Sequence, residues 1–152
     1  MEIIKADDKQ LETVMSLRIE MLREVNGLSE EEPFSNELVS LSEEYFGCKE
    51  QTTVLAYNGK EAAGCASICY FTLMPTYCHP TGKRAHIMNV YVRKSCRRQG
   101  LAAKMVQLLI EEARERGVTE ISLDATEAGR PVYEKCGFKS SGESMTLNLK
   151  QK

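Results

Sequence analysis

Two periodicities divide the chain. Apolar residues recur at helical spacing from Leu11 through Val14, Met15, Met21, Leu22 and Val25. Asp7 or Asp8 can cap this helix, and Asn26-Gly27 ends it. Pro33 opens a second helical stretch through Leu38, Leu41 and Tyr45, closed by Gly47. Ahead of both, Ile3 and Ile4 predict a short first strand. The pattern then turns β-rich at Thr52–Tyr57. Asn58-Gly59 is a strong hairpin signal, and Gly64 to Phe71 is the returning strand. Pro75, Pro80 and Gly82 mark a loop, and Ala85 to Val92 is the next strand. A helix from about Arg98 to Arg116 presents Leu101, Met105 and Leu108, with Ala102, Val106, Leu109 and Ala113 beside them. Gly117 ends it. Glu120–Asp124 predicts a strand, and Pro131–Cys136 a short helix with Gly137 after its end. Phe138 opens a final strand pair reaching Leu149.

This order predicts a mixed α/β domain with six to seven strands in one twisted sheet and about four helices on its two faces. The strand at 85–92, the long helix and the strand at 120–124 form a βαβ unit, so those strands are expected to be parallel. A single domain over residues 1–152 is expected.

Composition changes this picture little. The chain has 152 residues, 42% apolar and 28% charged, which suits a packed core rather than disorder. No apolar run approaches the roughly 18 to 20 residues that span a bilayer, so no membrane partner is expected. The start, Met1-Glu2-Ile3-Ile4-Lys5, lacks the pattern of a secretory signal, and a cytoplasmic location is expected. A net charge of -2 argues against a nucleic-acid partner, which needs a broad basic surface. Six cysteines occur without CxxC spacing. Cys78-His79 has no second pair to complete a metal site, so reduced thiols and no metal are expected.

Charge is uneven, and here it matters. Residues 30–44 are acidic and residues 93–104 basic. The basic cluster lies between a strand and a helix, in Val90-Tyr91-Val92-Arg93-Lys94-Ser95-Cys96-Arg97-Arg98-Gln99-Gly100-Leu101-Ala102. First-turn amides of a helix have no internal partners and lie at the positive end of its dipole. Such a terminus suits a diphosphate. Gly100 and the small Ala102 allow close approach, while Lys94, Arg97 and Arg98 add charge. Neither a Walker loop nor a dinucleotide-binding GxGxxG is present.

This segment resembles the acetyl-CoA signature of the GNAT superfamily, [Arg/Gln]-x-x-Gly-x-[Gly/Ala], in Arg97, Gly100 and Ala102. The preceding Asn89-Val90-Tyr91-Val92 and the following amphipathic helix fit it too. Val132-Tyr133-Glu134-Lys135-Cys136-Gly137-Phe138 is similar to the family's Leu-Tyr-Glu-Lys-x-Gly-Phe element. The resemblance implies a centrally splayed sheet and acetyl-CoA as cosubstrate. It implies pyrophosphate on the amides of Arg97, Arg98, Gln99, Gly100, Leu101 and Ala102. It implies pantetheine along the main chain of Val90, Tyr91 and Val92, and Tyr133 as general acid.

Two departures stand out. Many relatives carry a glutamate base on the fourth strand, where this chain reads Ile87-Met88-Asn89. Asp124, His86, an acid in 30–44 or bulk solvent then remain as the base. Relatives often place asparagine seven residues before the tyrosine, where this chain has Thr126. The resemblance implies a primary amine acceptor, on a small molecule or a peptide, and the acidity of 30–44 suggests a cationic one. Edge strands near the C-terminus could pair between chains as a homodimer. A non-catalytic acyl-CoA-binding sensor is the competing reading.

Overall fold

The structure, a computed structural model, describes residues 1–150. Strand β1 (Glu2–Lys5) leads through a 3-10 turn into helix α1 (Leu11–Asn26) and then α2 (Asn36–Phe46). Strands β2 (Gln51–Asn58), β3 (Glu61–Thr72) and β4 (Lys83–Val92) follow. Helix α3 (Leu101–Glu115), strand β5 (Glu120–Leu123) and helix α4 (Arg130–Lys135) complete the order. The sheet runs β1-β2-β3-β4-β5, antiparallel except for the parallel pair β4–β5.

Local chemistry sets the boundaries. The Asp7 carboxylate accepts from the Lys9 amide at 2.8 Å, while the Gln10 side chain accepts from the Asp7 amide, a reciprocal cap ahead of α1. Gly27, at φ 64°, closes that helix in the left-handed conformation. Ser35 caps α2 through the Leu38 amide at 3.1 Å, so this helix starts after Pro33, not at it. Gly59-Lys60 makes the tight turn between β2 and β3.

Strand alternation divides the core. Val54, Ala56, Ala66, Ile68, Ala85 and Ile87 face α3, which buries Leu101, Met105, Val106, Leu109, Ile110 and Ala113 against them. Leu55 and Cys65 point the other way, onto Val14 and Leu17 of α1. Truncating the fully buried Met105 to alanine would cost about 2 to 5 kcal/mol. Leu108 departs from the expected stripe: it is 42% exposed, and Ile110 takes the buried place.

Among the described residues the sheet has five strands, not six to seven. The expected final strand pair between Phe138 and Leu149 does not form among the described residues. The alternation Met145, Leu147, Leu149 is strand-like, but a strand needs a partner for its main chain and a face to bury. Here these three side chains are 95%, 83% and 87% exposed.

Candidate active site

The site begins where β4 and β5 part. Their register runs from Arg84↔Glu120 to Ile87↔Leu123 and stops, while β4 continues to Val92. From Met88 to Val92 the strand keeps β3 on one side and has no strand on the other. Main-chain groups on that open edge are available to an extended ligand.

A bulge lies beside the opening. Register shifts from Cys65↔Tyr91 to Ser67↔Met88, leaving one extra residue on β4. Asn89 takes it up at φ 59°, and the Cys65 thiol donates to its carbonyl at 3.4 Å. Gly64 is required opposite: a Cβ there would lie 2.5 Å from the Tyr91 carbonyl oxygen. The buried Asn89 side chain donates to Ser67 Oγ at 3.3 Å and accepts from Arg18 Nη1 at 3.2 Å. Asparagine is therefore committed to this network and cannot take a proton.

Beyond Val92 the chain turns into α3. Arg98 (φ 64°) and Gly100 (φ 75°) are both left-handed, a geometry that gathers amides into an anion-binding concavity. The amides of residues 98–103 donate to no carbonyl or side chain among the described residues. Gly100 has no side-chain cap to offer, and a Cβ on it would point into open space. Glycine is needed here for its backbone conformation, and the space beside it suits a diphosphate.

The basic residues divide unexpectedly. Arg97 gives Nε to the Val92 carbonyl at 2.7 Å and Nη2 to Glu24 at 2.7 Å. Arg93 is held by Glu20 at 2.6 and 3.0 Å, and its pKa is raised chiefly by that hydrogen bonding. Arg98, exposed, makes no such bond among the described residues. Leu101 is buried in the core, so only its amide can serve a ligand.

Tyr133, on α4, packs against the core that α3 forms with the sheet, its ring edge-on to Phe138 at 6.2 Å. Burial raises its pKa, with a smaller contribution from Cys136. The phenol is thus a neutral donor at physiological pH. Thr126 Oγ accepts from the Gly129 amide at 3.1 Å and so braces the turn into α4.

The candidate bases separate clearly. His86 Nδ1 lies 2.8 Å from Ser122 Oγ, and its Nε2 lies 3.8 Å from the exposed Asp124, at the last paired rungs of β4 and β5. The acids of the 30–44 stretch are all exposed. Glu32 contributes a carbonyl to Arg23, which stacks on Phe34.

The sequence profile of the Acetyltransferase (GNAT) family matches residues 19–138. This chain belongs to the GNAT family. A predicted acetyltransferase from Clostridium acetobutylicum, solved with acetyl-CoA, is similar over 97% of this chain and 96% of that one, with TM-score 0.85 and 30% identity. The probable glucosamine 6-phosphate N-acetyltransferase 2 of Oryza sativa subsp. japonica is 38% identical over 66 residues, 43% of this chain and 40% of that protein. The glucosamine 6-phosphate N-acetyltransferase of Trypanosoma brucei brucei is 38% identical over 64 residues, 42% of this chain and 44% of that protein. The chain thus spans less than half the length of these curated relatives.

The face of β4 toward α1 and α2 is polar. His86, Met88, Asn89 and Tyr91 share it, with Cys69 and Ser67 of β3 opposite His86 and Met88. Arg18 completes it and was missed from sequence. The signal was present, since Arg18 interrupts the apolar stripe between Val14 and Met21.

Proposed function

We propose that this chain moves an acetyl group from acetyl-CoA to the primary amine of a small acceptor by direct attack. One observation carries the reading: the open edge of β4 from Met88 to Val92 leads straight to the unpaired amides of residues 98–103. An extended pantetheine arm ending in a diphosphate matches that succession of sites. The curated relatives support an amine on a small molecule, since two are named for glucosamine 6-phosphate.

In this reading, Val90, Tyr91 and Val92 hold the pantetheine arm through their main chain. An amide of the opened strand stabilises the oxyanion as the amine attacks. Tyr133 protonates the departing thiolate, and His86, backed by Asp124, takes the proton released by the amine. Exposed acids at Glu30, Glu31 and Glu32 draw the protonated amine from solution. The free edge of β5 and the exposed Met145, Leu147 and Leu149 support a homodimer.

The test is calorimetric titration with acetyl-CoA, with ATP as control, on the wild type and on Gly100→Asp. Selective binding lost in a folded variant is expected. Turnover on an amine panel then separates an enzyme from a binding module. Released CoA is quantified by chromatography, because the exposed Cys48 and Cys78 would react with thiol reagents. Acetyl-CoA binding without turnover of any amine would favour the module.

A further inference from the structure

Arg18 has a place in the fold that packing alone does not explain. It projects from the middle of α1 onto the polar face of β4 and is about half buried. Among the described residues only one of its nitrogens, Nη1, finds a partner, the neutral Asn89 amide oxygen at 3.2 Å. Among the described residues, no carboxylate lies within ion-pair distance. The other partly buried arginines differ. Arg84 meets Glu120, Arg93 meets Glu20, and Arg23 meets two backbone carbonyls. Glu20, the acid nearest Arg18 in sequence, is taken by Arg93. Partial burial of an unpaired guanidinium is unfavourable, and it depresses the Arg18 pKa. Such a charge persists where a ligand supplies the counter-ion.

Three further observations point the same way. The remaining guanidinium nitrogens are not sealed from solvent, so a ligand can reach them. The Tyr45 hydroxyl on α2, closed to solvent, lies beside the Cys69 thiol and within reach of the Arg18 charge, which extends the polar face toward α2. Cys69 pairs with His86 across β3 and β4, so Tyr45 and Arg18 both border the stretch of β4 that carries His86 and Asn89. Gln51, Thr53, Ser67 and Asn89 form a polar chain behind Arg18, at 2.8, 2.7 and 3.3 Å, which fixes Asn89 and through it the guanidinium.

We infer that the acceptor carries an anionic group, a phosphate monoester or a carboxylate, which Arg18 binds through its remaining guanidinium nitrogens. The amine then lies toward His86 and Met88, at the opening of the sheet. This rests on the acetyltransferase reading and extends it to the acceptor. Guanidinium suits either anion, since its planar fork meets two oxygens at once.

The experiment uses matched amines that differ in one anionic group: ethanolamine against O-phosphoethanolamine, and propylamine against 3-aminopropanoate. Turnover is measured with the wild type, Arg18→Gln and Arg18→Lys, each checked for a wild-type melting profile. The wild type is expected to favour the anionic member of at least one pair by roughly ten- to a hundredfold in kcat/KM, the scale of a charge-assisted hydrogen bond. Arg18→Gln should erase that preference through KM with kcat little changed, and Arg18→Lys should keep part of it. Equal use of both members, or an equal loss for both in Arg18→Gln, would overturn the inference and leave Arg18 as a brace between α1 and β4. If no amine turns over, calorimetry of O-phosphoethanolamine and 3-aminopropanoate against the CoA-saturated protein decides. Arg18-dependent binding supports the inference, and its absence overturns it. Failure of the wild type to bind acetyl-CoA would count against the transferase reading, and the same titration without CoA would still decide the role of Arg18.

Discussion

Arg97 and Glu24 form an ion pair 2.7 Å long that ties the loop before α3 to helix α1. Together with Arg93 and Glu20, it makes α1 the neighbour that orders this loop. The consequence is electrostatic. Two of the arginines that enrich the loop in positive charge are already compensated, and Lys94 also lies 3.9 Å from Glu24. What remains for a diphosphate is the row of unpaired amides and the exposed Arg98.

Arg98→Ala should therefore weaken acetyl-CoA binding by roughly tenfold, as expected for one charge-assisted contact near solvent. Its salt dependence should also flatten. Arg93→Ala should instead lower the melting temperature, because it breaks the bonds to Glu20 and the Ala62 carbonyl. Calorimetry and thermal melts on both variants check the division. An Arg93→Ala protein of normal stability with weakened binding would reverse it.

Two glycines should behave differently for a stated reason. Gly64→Ala sets a Cβ 2.5 Å from the Tyr91 carbonyl, backbone against backbone, and should cost about 1 to 3 kcal/mol in urea unfolding. Gly100→Ala meets nothing within 4 Å, so only its left-handed φ is penalised, by about 1 to 2 kcal/mol. The Gly100 variant should fold and lose affinity for acetyl-CoA, because its Cβ occupies the space proposed for the diphosphate. Unchanged affinity would remove the diphosphate from that position.

The same contrast measures how much was legible in the sequence. The long helix could be found because a local rule governs it, a 3.6-residue stripe, whereas Gly100 stood out only for the close approach it allows, and its left-handed backbone came with the structure. The Asn58-Gly59 hairpin and the parallel β4–β5 pair followed from equally short-range signals. The bulge at Asn89 could not be found, since its cause is the facing strand and the absence of a Cβ at Gly64. Pairing of Arg93 and Arg97 with α1 was hidden for the same reason, as Glu20 and Glu24 lie some seventy positions away. The final strands were expected from alternation alone, and alternation says nothing about whether a partner edge is available.

Tyr133→Phe should lower kcat by about a hundredfold or more while leaving acetyl-CoA affinity near wild type. The pH profile carries the sharper test. Burial raises the phenol above its ordinary value of 10.0. Activity that depends on the protonated form should persist past that value and fall only above it. A falling limb below pH 10 in the wild type, or one that survives in the phenylalanine variant, would assign the acid to another group.

Met145, Leu147 and Leu149 lie exposed at alternate positions, and β5 has β4 on one edge only. Both features favour pairing between chains. Replacing the three residues by threonine should convert a dimer to a monomer in light scattering. A wild-type protein that is monomeric at high micromolar concentration would dispose of the homodimer.

Glu112, on the flank of α3 beside β1 and β3, offers a stability test remote from the site. It accepts from Lys5 at 2.8 Å and from the Tyr70 hydroxyl, whose own pKa is raised by burial. Burial alone would raise the Glu112 pKa, but hydrogen bonds from Lys5 and Tyr70 outweigh it and lower the value below 4.5. A carboxyl depressed in the folded state stabilises the protein above its unfolded pKa and loses that effect as pH falls through the folded one. Wild-type stability should accordingly decline on acidification below about pH 4.5, the ordinary glutamate range. Glu112→Gln should be less stable at neutral pH, because Lys5 loses its counter-charge, and its decline over the acid range should be shallower. Urea unfolding at a series of pH values reads both effects. Parallel curves for the two proteins would show that Glu112 ionises alike in the folded and unfolded chains.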